Sequence, residues 1–477
     1  MLQLLTLGFV LSGWAIAAAG FFILPRRRRV PEAWAWLAIM FALPWVGPAA
    51  YLAMAENPLG RRRVVQYRQV IANLKSPRTV KAVSEHTAVS TLDESAAAIE
   101  RVAEAGGALS ALGGNDAVFI TDSQRIVEGL VRDIDQAQRH VNLDFYIFLD
   151  DGVGRRIAEA LTRAASRGVC CRVLADALGS RRFFTTLGRR LREGGVDVRA
   201  AKPINPLLGR QLARIDVRNH RKIAVIDDKV GYIGSWNVAD PGFRPKVVGG
   251  YHDLMVRLCG PAALQLQLMF FEDWQVEKGE SLEAEGYFVP PGPQGPHVIQ
   301  ALPSGPMYPS TPIRDITVAA LNQARRRFIL TTPYFIPDET IVLAFRLAAQ
   351  RGVRVDVIVP HRSDMPVVDQ AGRSYFGELM EAGVNVHLYQ PGLLHAKTLT
   401  ADEGVAMIGS ANFDTRSFRL DVEANLLLYS RPLVAALRSI QERYLADSTP
   451  VEEEAWACRP WRTRMGEHLA KLLSPLL

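Results

Sequence analysis

Apolar and polar positions alternate in three different ways along the chain. Residues 2–24, LQLLTLGFVLSGWAIAAAGFFIL, carry no charge over 23 positions. As a helix that length crosses a hydrocarbon layer of ~30 Å. A second uncharged run, Ala33 to Met54, contains Pro44 and Pro48, and Trp34, Trp36 and Trp45 stand where interface anchors belong. A pair of membrane segments is the expectation. A cleaved signal fits the first run poorly, because basic residues do not precede it. Arginines flank the second run on both sides, in PRRRRVPE and ENPLGRRRVVQYR, so loop charge does not vote on topology. A re-entrant second segment, broken at its prolines, would keep Arg26 to Arg29 inside with the large domain in the cytoplasm.

Beyond about residue 110 the period changes and the chain repeats itself. RHVNLDFYIFLDDGVGRRIAEALTRAASRGVCCRVLAD (139–176) and RRFILTTPYFIPDETIVLAFRLAAQRGVRVDVIVP (326–360) follow one plan. Each reads as a strand, an aromatic loop, a helix, a glycine stop and another strand. Leu161, Ala164 and Ala165 mark one helical stripe; Leu343, Phe345, Leu347 and Ala348 mark the other. Two such units predict an α/β fold of two repeats, each a central mixed β-sheet flanked by helices. The expected division is a membrane anchor at 1–58, a basic helical linker at 59–112, a first repeat at 113–286 and a second at 287–477. EGYFVPPGPQGPHV (285–298) is the connector. The ending, WACRPWRTRMGEHLAKLLSPLL, suits an amphipathic helix at a membrane interface or one docked on the domain.

The net charge of +7 fits nucleic acid or an anionic membrane surface equally well. Hydrophobic content of 48% is high for a soluble chain, and the excess sits in the first 54 residues. Four cysteines, Cys170, Cys171, Cys259 and Cys458, have neither zinc-ligand spacing nor the density of a disulfide framework. Free, mostly buried thiols are expected.

Candidate chemistry comes from one pattern written twice. NHRKIAVIDDKVGYIGSWN (219–237) and HAKTLTADEGVAMIGSAN (395–412) share His-x-Lys-x₄-Asp-x₆-Gly-Ser-x-Asn. On a strand, residues two apart share a face, so His220 points with Lys222 and His395 with Lys397. The full catalytic set is His220, Lys222, Asp227, His395, Lys397 and Asp402. Asp227 and Asp402 lie an odd number of residues from their histidines, which predicts that they hold the hairpin or nearby backbone. A lysine cation repels a metal ion, so no metal is expected; exchange of one phosphodiester for another needs no ATP, and with no nucleotide loop in the sequence no cofactor is expected. The same pair suits a phosphodiester: lysine neutralises its oxygens while a neutral imidazole attacks phosphorus. The other imidazole can protonate the departing alkoxide and then deprotonate the incoming alcohol. Asn237 and Asn412, with Ser235 and Ser410, are candidate phosphate contacts. Each imidazole also needs an orienting acceptor. Asp253, in YHDLMVRL, is expected to serve His220, and Glu423, in DVEANLLLY, to serve His395.

The paired signatures resemble those of the phospholipase D superfamily, and more narrowly those of bacterial cardiolipin synthases. NHRKIAVID, TTPYFIPDE, LHAKTL, GSANFDTRSFRL and EANLLLY carry the resemblance, with the two N-terminal apolar segments and the LAKLLSPLL ending. It implies a phosphatidyl transfer: one phosphatidylglycerol leaves its phosphatidyl group on a histidine, glycerol departs, and a second phosphatidylglycerol accepts the group. His220 would be the nucleophile and His395 the acid and base, with Lys222, Lys397, Asn237 and Asn412 holding phosphate. The implied partners are phosphatidylglycerol and anionic membrane lipid rather than nucleic acid. The implied location is the bacterial inner membrane, multi-pass, with a cytoplasmic catalytic domain. Oligomeric state is left open. Two rivals use the same residues: a phospholipase D releasing phosphatidic acid, and a membrane-tethered phosphodiesterase or nuclease. Discriminating an alcohol from water needs a dry site, which the aromatic loops at Phe145-Tyr146 and Tyr334-Phe335 would help provide.

Overall fold

Largely apolar runs of two to nine residues become strands in both repeats. The first contributes β1 (Leu112–Ile120), β2 (His140–Phe145), β3 (Cys170–Asp176) and β4 (Asp197–Ala201). It continues with β5 (Lys222–Ile226), β6 (Val230–Gly234), β7 (Tyr251–His252) and β8 (Met255–Cys259). The second contributes β9 (His297–Ser304), β10 (Arg327–Thr331), β11 (Arg354–Pro360), β12 (Asn385–Tyr389) and β13 (Leu393–Leu394). After these come β14 (Thr398–Ala401), β15 (Val405–Gly409), β16 (Glu423–Leu428) and β17 (Ser448–Pro450). The computed structural model describes residues 2–27, 30–54, 61–75, 81, 83–202, 217–244, 249–278, 291–472 and 474.

Fifteen strands form one sheet in the order β17-β12-β11-β10-β14-β15-β16-β9-β1-β8-β6-β5-β2-β3-β4. Apart from β17, the order is a palindrome. β12, β11, β10, β14, β15, β16 and β9 correspond in turn to β4, β3, β2, β5, β6, β8 and β1. Parallel pairs β2–β3, β3–β4, β10–β11 and β11–β12 sit outside antiparallel ones, so the sheet is mixed. The repeats join where β1 pairs antiparallel with β9. An approximate twofold relation follows, and anything at the seam is supplied in duplicate.

Helices cover both faces. Alternation along β5 sends Ala224 and Ile226 towards helices Ser123–Asp135 and Gly152–Ser166. Ile223 and Val225 turn to the other face, against helices Ala262–Lys278 and Arg431–Ala446. Helix Ala262–Lys278 is buried from Ala262 to Val276, as suits a helix enclosed all round. In helix Glu339–Gln350 the inward stripe is Ile341, Ala344, Phe345 and Ala348. Leu343 and Leu347, expected to share it, face solvent; they sit one step off the i, i+3, i+4 row. The four thiols are free, but Cys170 and Cys458 are exposed and only Cys171 is fully buried. Adjacent residues on β3 point to opposite sides, so the Cys170-Cys171 pair splits.

The described residues up to Val65, with Val217, form a compact unit of their own. Its helices are Leu2–Arg27, Val30–Ala42 and Val46–Met54. Leu24, Ala33, Leu37, Met40 and Tyr51 make a small core, while Trp14, Phe22, Trp34 and Trp45 are exposed. The second apolar run breaks between Ala42 and Val46, at Pro44, into helices of 13 and nine residues. Among the described residues no helix is long and apolar enough to cross a membrane. The span expected over 2–24 falls partly outside them, since the side chains of 2–11 and 17 are not described. The connector expected at 285–298 lies outside them as far as residue 290.

Candidate active site

Both histidines stand at the mouths of matching strands, His220 before β5 and His395 before β14. Backbone bonds tie each to the opposite repeat. The His220 N–H donates to the Val422 carbonyl, and the His395 N–H to the His252 carbonyl, both at 2.8 Å. Asn219 bridges Val422 in parallel, while β7 pairs parallel with β13. Val422 and His252 immediately precede Glu423 and Asp253. The seam therefore delivers each carboxylate to the histidine across it.

His220 Nδ1 lies 3.0 Å from each oxygen of Glu423, and His395 Nδ1 lies 2.7 Å from Asp253 Oδ1. This reverses the expected pairing. Asp253 serves His395 and Glu423 serves His220, because the neighbouring strand start at each histidine comes from the other repeat. With Nδ1–H donated to carboxylate, the neutral ring keeps its lone pair on Nε2. Among the described residues no protein group bonds either Nε2.

Ser235 and Ser410 contact carboxylates, not an open phosphate position. Ser235 Oγ donates to Asp253 at 2.6 Å. Ser410 Oγ donates to Glu423 at 2.5 Å, and Ser417 Oγ donates to its other oxygen at 2.8 Å. Their place in the signature is explained by strand pairing: each serine sits beside the strand that starts at its own repeat's carboxylate. The preceding glycines have a related cause. A Cβ on Gly234 or Gly409 would strike the Leu254 or Ala424 carbonyl oxygen on that neighbouring strand.

Lys222 and Lys397 share the histidines' faces, and each Nζ donates to the carbonyl of its own histidine. Burial lowers Lys222 to about 8 and Lys397 well below the ordinary lysine value, the latter also repelled by Lys222. A phosphodiester anion would relieve both strains. The Asn237 side-chain oxygen accepts the Ile147 N–H at 3.3 Å, whereas Oδ1 of Asn412 is buried without a partner. Among the described residues neither amide nitrogen is engaged.

Burial also lowers both imidazoles, helped by the lysine beside each: His395 falls to about 4 and His220 well below its ordinary value. The carboxylates diverge. Burial raises Glu423 to about 7 despite Lys222 and the two serines. Burial would raise Asp253 too, but His395, Lys397 and Ser235 together hold it below the usual carboxylate range.

Asp227 and Asp402, carried in the catalytic set, lie at the far ends of β5 and β14, away from the imidazoles. Asp227 accepts the backbone N–H groups of Gln138, Arg139 and His140 at 2.8–2.9 Å. Asp402 does the same for Arg325, Arg326 and Arg327. Both adopt positive φ, 54° and 44°. Their role is to pin the start of β2 or β10 to the hairpin turn.

Several site neighbours lie outside the repeated signature. Tyr146 sets its ring 4.9 Å from that of His220, and Tyr251 lies 5.3 Å from His395. Asp364 accepts from the hydroxyls of Tyr334 at 2.6 Å and Tyr251 at 2.9 Å, and pairs with Arg244. In each aromatic loop one ring turns to the site and its neighbour to the core: Phe145 is buried, and Phe335 stacks on Phe413. Below the His220 strand, Arg221 is fully buried and pairs with Glu272 and Asp273. It anchors the strand from the opposite face. Ser417, outside the repeated signature, is placed by the Asp414 cap of helix Thr415–Arg419, in which Asp414 accepts the Ser417 N–H.

Comparisons with known proteins agree with this architecture. Residues 130–274 and 317–445 match the family described as cardiolipin synthase, PLD-like domain. Cardiolipin synthase A of Yersinia pseudotuberculosis serotype O:1b (strain IP 31758) is 36% identical over 97% of this chain and 96% of its own. Cardiolipin synthase A of Yersinia pestis matches equally. Phosphatidylserine synthase from Haemophilus influenzae Rd KW20 shares the fold, with TM-score 0.56 and 15% identity over 80% of this chain and all of that one. The chain belongs to the cardiolipin synthase family of phospholipase D-like proteins.

Proposed function

We propose that this protein makes cardiolipin and glycerol from two molecules of phosphatidylglycerol through a phosphohistidine intermediate. The carrying observation is the pair of imidazole–carboxylate contacts that cross between the repeats, with neither Nε2 bonded to protein among the described residues. His220 Nε2 attacks the phosphorus of the first lipid, and His395, which takes up a proton once the phosphodiester anion joins Asp253 beside it, gives that proton to the departing glycerol oxygen. Neutral His395 then removes the proton from a hydroxyl of the second lipid, whose oxygen attacks phosphorus and releases His220. Atoms and protons balance over the cycle. Ionised Asp253 is the better stabiliser of an imidazolium, which favours His395 as the acid. His220, beside a carboxyl raised to about 7, stays neutral and nucleophilic. Lys222, Lys397 and the amides of Asn237 and Asn412 hold the phosphoryl oxygens. Tyr146, Tyr251 and Tyr334 exclude water and so favour an alcohol as acceptor.

The exposed tryptophans and phenylalanines of the N-terminal unit support attachment to the bacterial inner membrane through residues 1–58, with the catalytic domain cytoplasmic. The experiment is to give purified protein labelled phosphatidylglycerol in detergent. Cardiolipin with free glycerol is the expected result, abolished in His220→Ala and in His395→Ala. Phosphatidic acid as main product would move the chain to the hydrolases, and cleaved DNA with untouched lipid would overturn both lipid readings.

A further inference from the structure

The end of the sheet remote from the histidines carries a second cationic cluster. β14 begins beside Lys397 and runs four residues, roughly 13 Å, to the turn at Asp402. There a cavity of about 360 Å³ is lined by Arg325, Arg326, Arg327, Arg431 and Arg438. The carboxylates at this cavity are Asp93, Asp402 and Glu403. Two are committed elsewhere: Asp402 holds three backbone N–H groups, and Asp93 caps helix Glu94–Ala105 through the Ala96 N–H. Arg327 is neutralised by Asp356 and Glu442.

The other four arginines have no such outlet. Among the described residues the side chains of Arg325, Arg326 and Arg431 make no hydrogen bond or ion pair. Nε and Nη2 of Arg438 are buried with no acceptor. Arg438 as a whole is only half-buried, but buried N–H donors left unmet are costly unless a ligand supplies acceptors. Burial and the nearby Arg327 charge indeed lower Arg438 from its ordinary value. The cavity thus gathers four arginines without an ion pair beside Glu403 and the backbone-bound Asp402, whose charges act on Arg438 without bonding it. Guanidinium forks match the oxygen geometry of phosphate.

We propose that this cavity binds a phosphate group, held by Arg438 together with Arg325, Arg326 and Arg431, at a site separate from the histidine pair. Its occupant would tie helix Arg431–Ala446 to the 401–405 turn and to the 324–327 segment, and so stabilise the second repeat. The phosphate can come as the free ion or as a phosphomonoester lipid headgroup.

The test follows the thermal midpoint of the full chain in neutral detergent while inorganic phosphate is added, against chloride at equal ionic strength. The midpoint is expected to rise with phosphate. Most of that rise should disappear in Arg438→Gln and in the double variant Arg325→Gln, Arg326→Gln. The last two side chains are exposed, so their loss does not threaten the fold, and lipid turnover in that variant should stay near wild type. A second arm replaces the ion by phosphatidic acid in the micelles. Stabilisation by lipid alone assigns a headgroup as ligand, and stabilisation by the ion assigns free phosphate. A phosphate response undiminished in both variants would place the binding at the histidines and overturn the proposal, as would no response to either probe in the wild type.

Discussion

His395 Nδ1 lies 2.7 Å from an oxygen of Asp253, a residue 142 positions earlier in the other repeat. Because Asp253 stays ionised, it fixes the ring tautomer and stabilises the proton that His395 must carry. Asp253→Asn keeps the shape but presents a neutral amide. Turnover is expected to fall roughly 10²–10⁴-fold, with thermal unfolding little changed. Steady-state cardiolipin formation measures it, and a loss under about tenfold would contradict the acid role.

Glu423 should behave differently with pH. Its carboxyl is raised to about 7, so below that value the native group is already protonated and an amide replaces it closely. Above that value the native group is a carboxylate and the amide is not. Glu423→Gln is therefore expected to lose little activity near about pH 6 and more than about tenfold near about pH 8.5. The Asp253→Asn deficit should stay flat over the same window, because Asp253 is held below the usual carboxylate range. Parallel pH profiles of the two variants decide; matching slopes would remove the distinction between the two dyads.

The doubled signature makes the histidines, lysines and asparagines of the candidate site legible in the sequence. The crossed pairing is not, since alternation within one repeat says nothing about which strand arrives across a seam. Nor does the sequence show that Ser235 and Ser410 donate to Asp253 and Glu423, because those partners lie by a neighbouring strand whose register only folding sets. Asp364 and Arg244 carry no local pattern and meet only through tertiary structure. Periodicity in turn over-read helix Glu339–Gln350, where apolar residues outnumber the positions facing inward.

Asp227 offers a structural contrast to the dyads. Its carboxylate accepts three backbone N–H groups and its φ is 54°. Asp227→Ala strands those donors and puts a Cβ residue without local hydrogen bonding in the left-handed region. About 2–4 kcal/mol of stability should be lost, while kcat of the folded fraction stays within about threefold. Denaturant unfolding beside activity of the same sample checks both. A collapse of kcat with stability intact would return Asp227 to the chemistry.

Gly409 links the sheet to the site. It pairs with Asn425 across β15 and β16, and any side chain there meets the Ala424 carbonyl oxygen and the Asn425 side chain. To admit even a methyl group, β15 and β16 must part where Ser410 holds Glu423. That contact orients His220, so Gly409→Ala should cost activity through a displaced carboxylate, about 10²-fold in kcat. Stability should fall by about 1–3 kcal/mol from strained strand pairing. Gly404, in the turn between β14 and β15, has open space around it; Gly404→Ala should leave both quantities nearly unchanged. Measuring kcat and thermal midpoint for the two variants separates strand separation from any general intolerance of the hairpin. Normal turnover in Gly409→Ala would mean that Glu423 reaches His220 without support from the β15–β16 register.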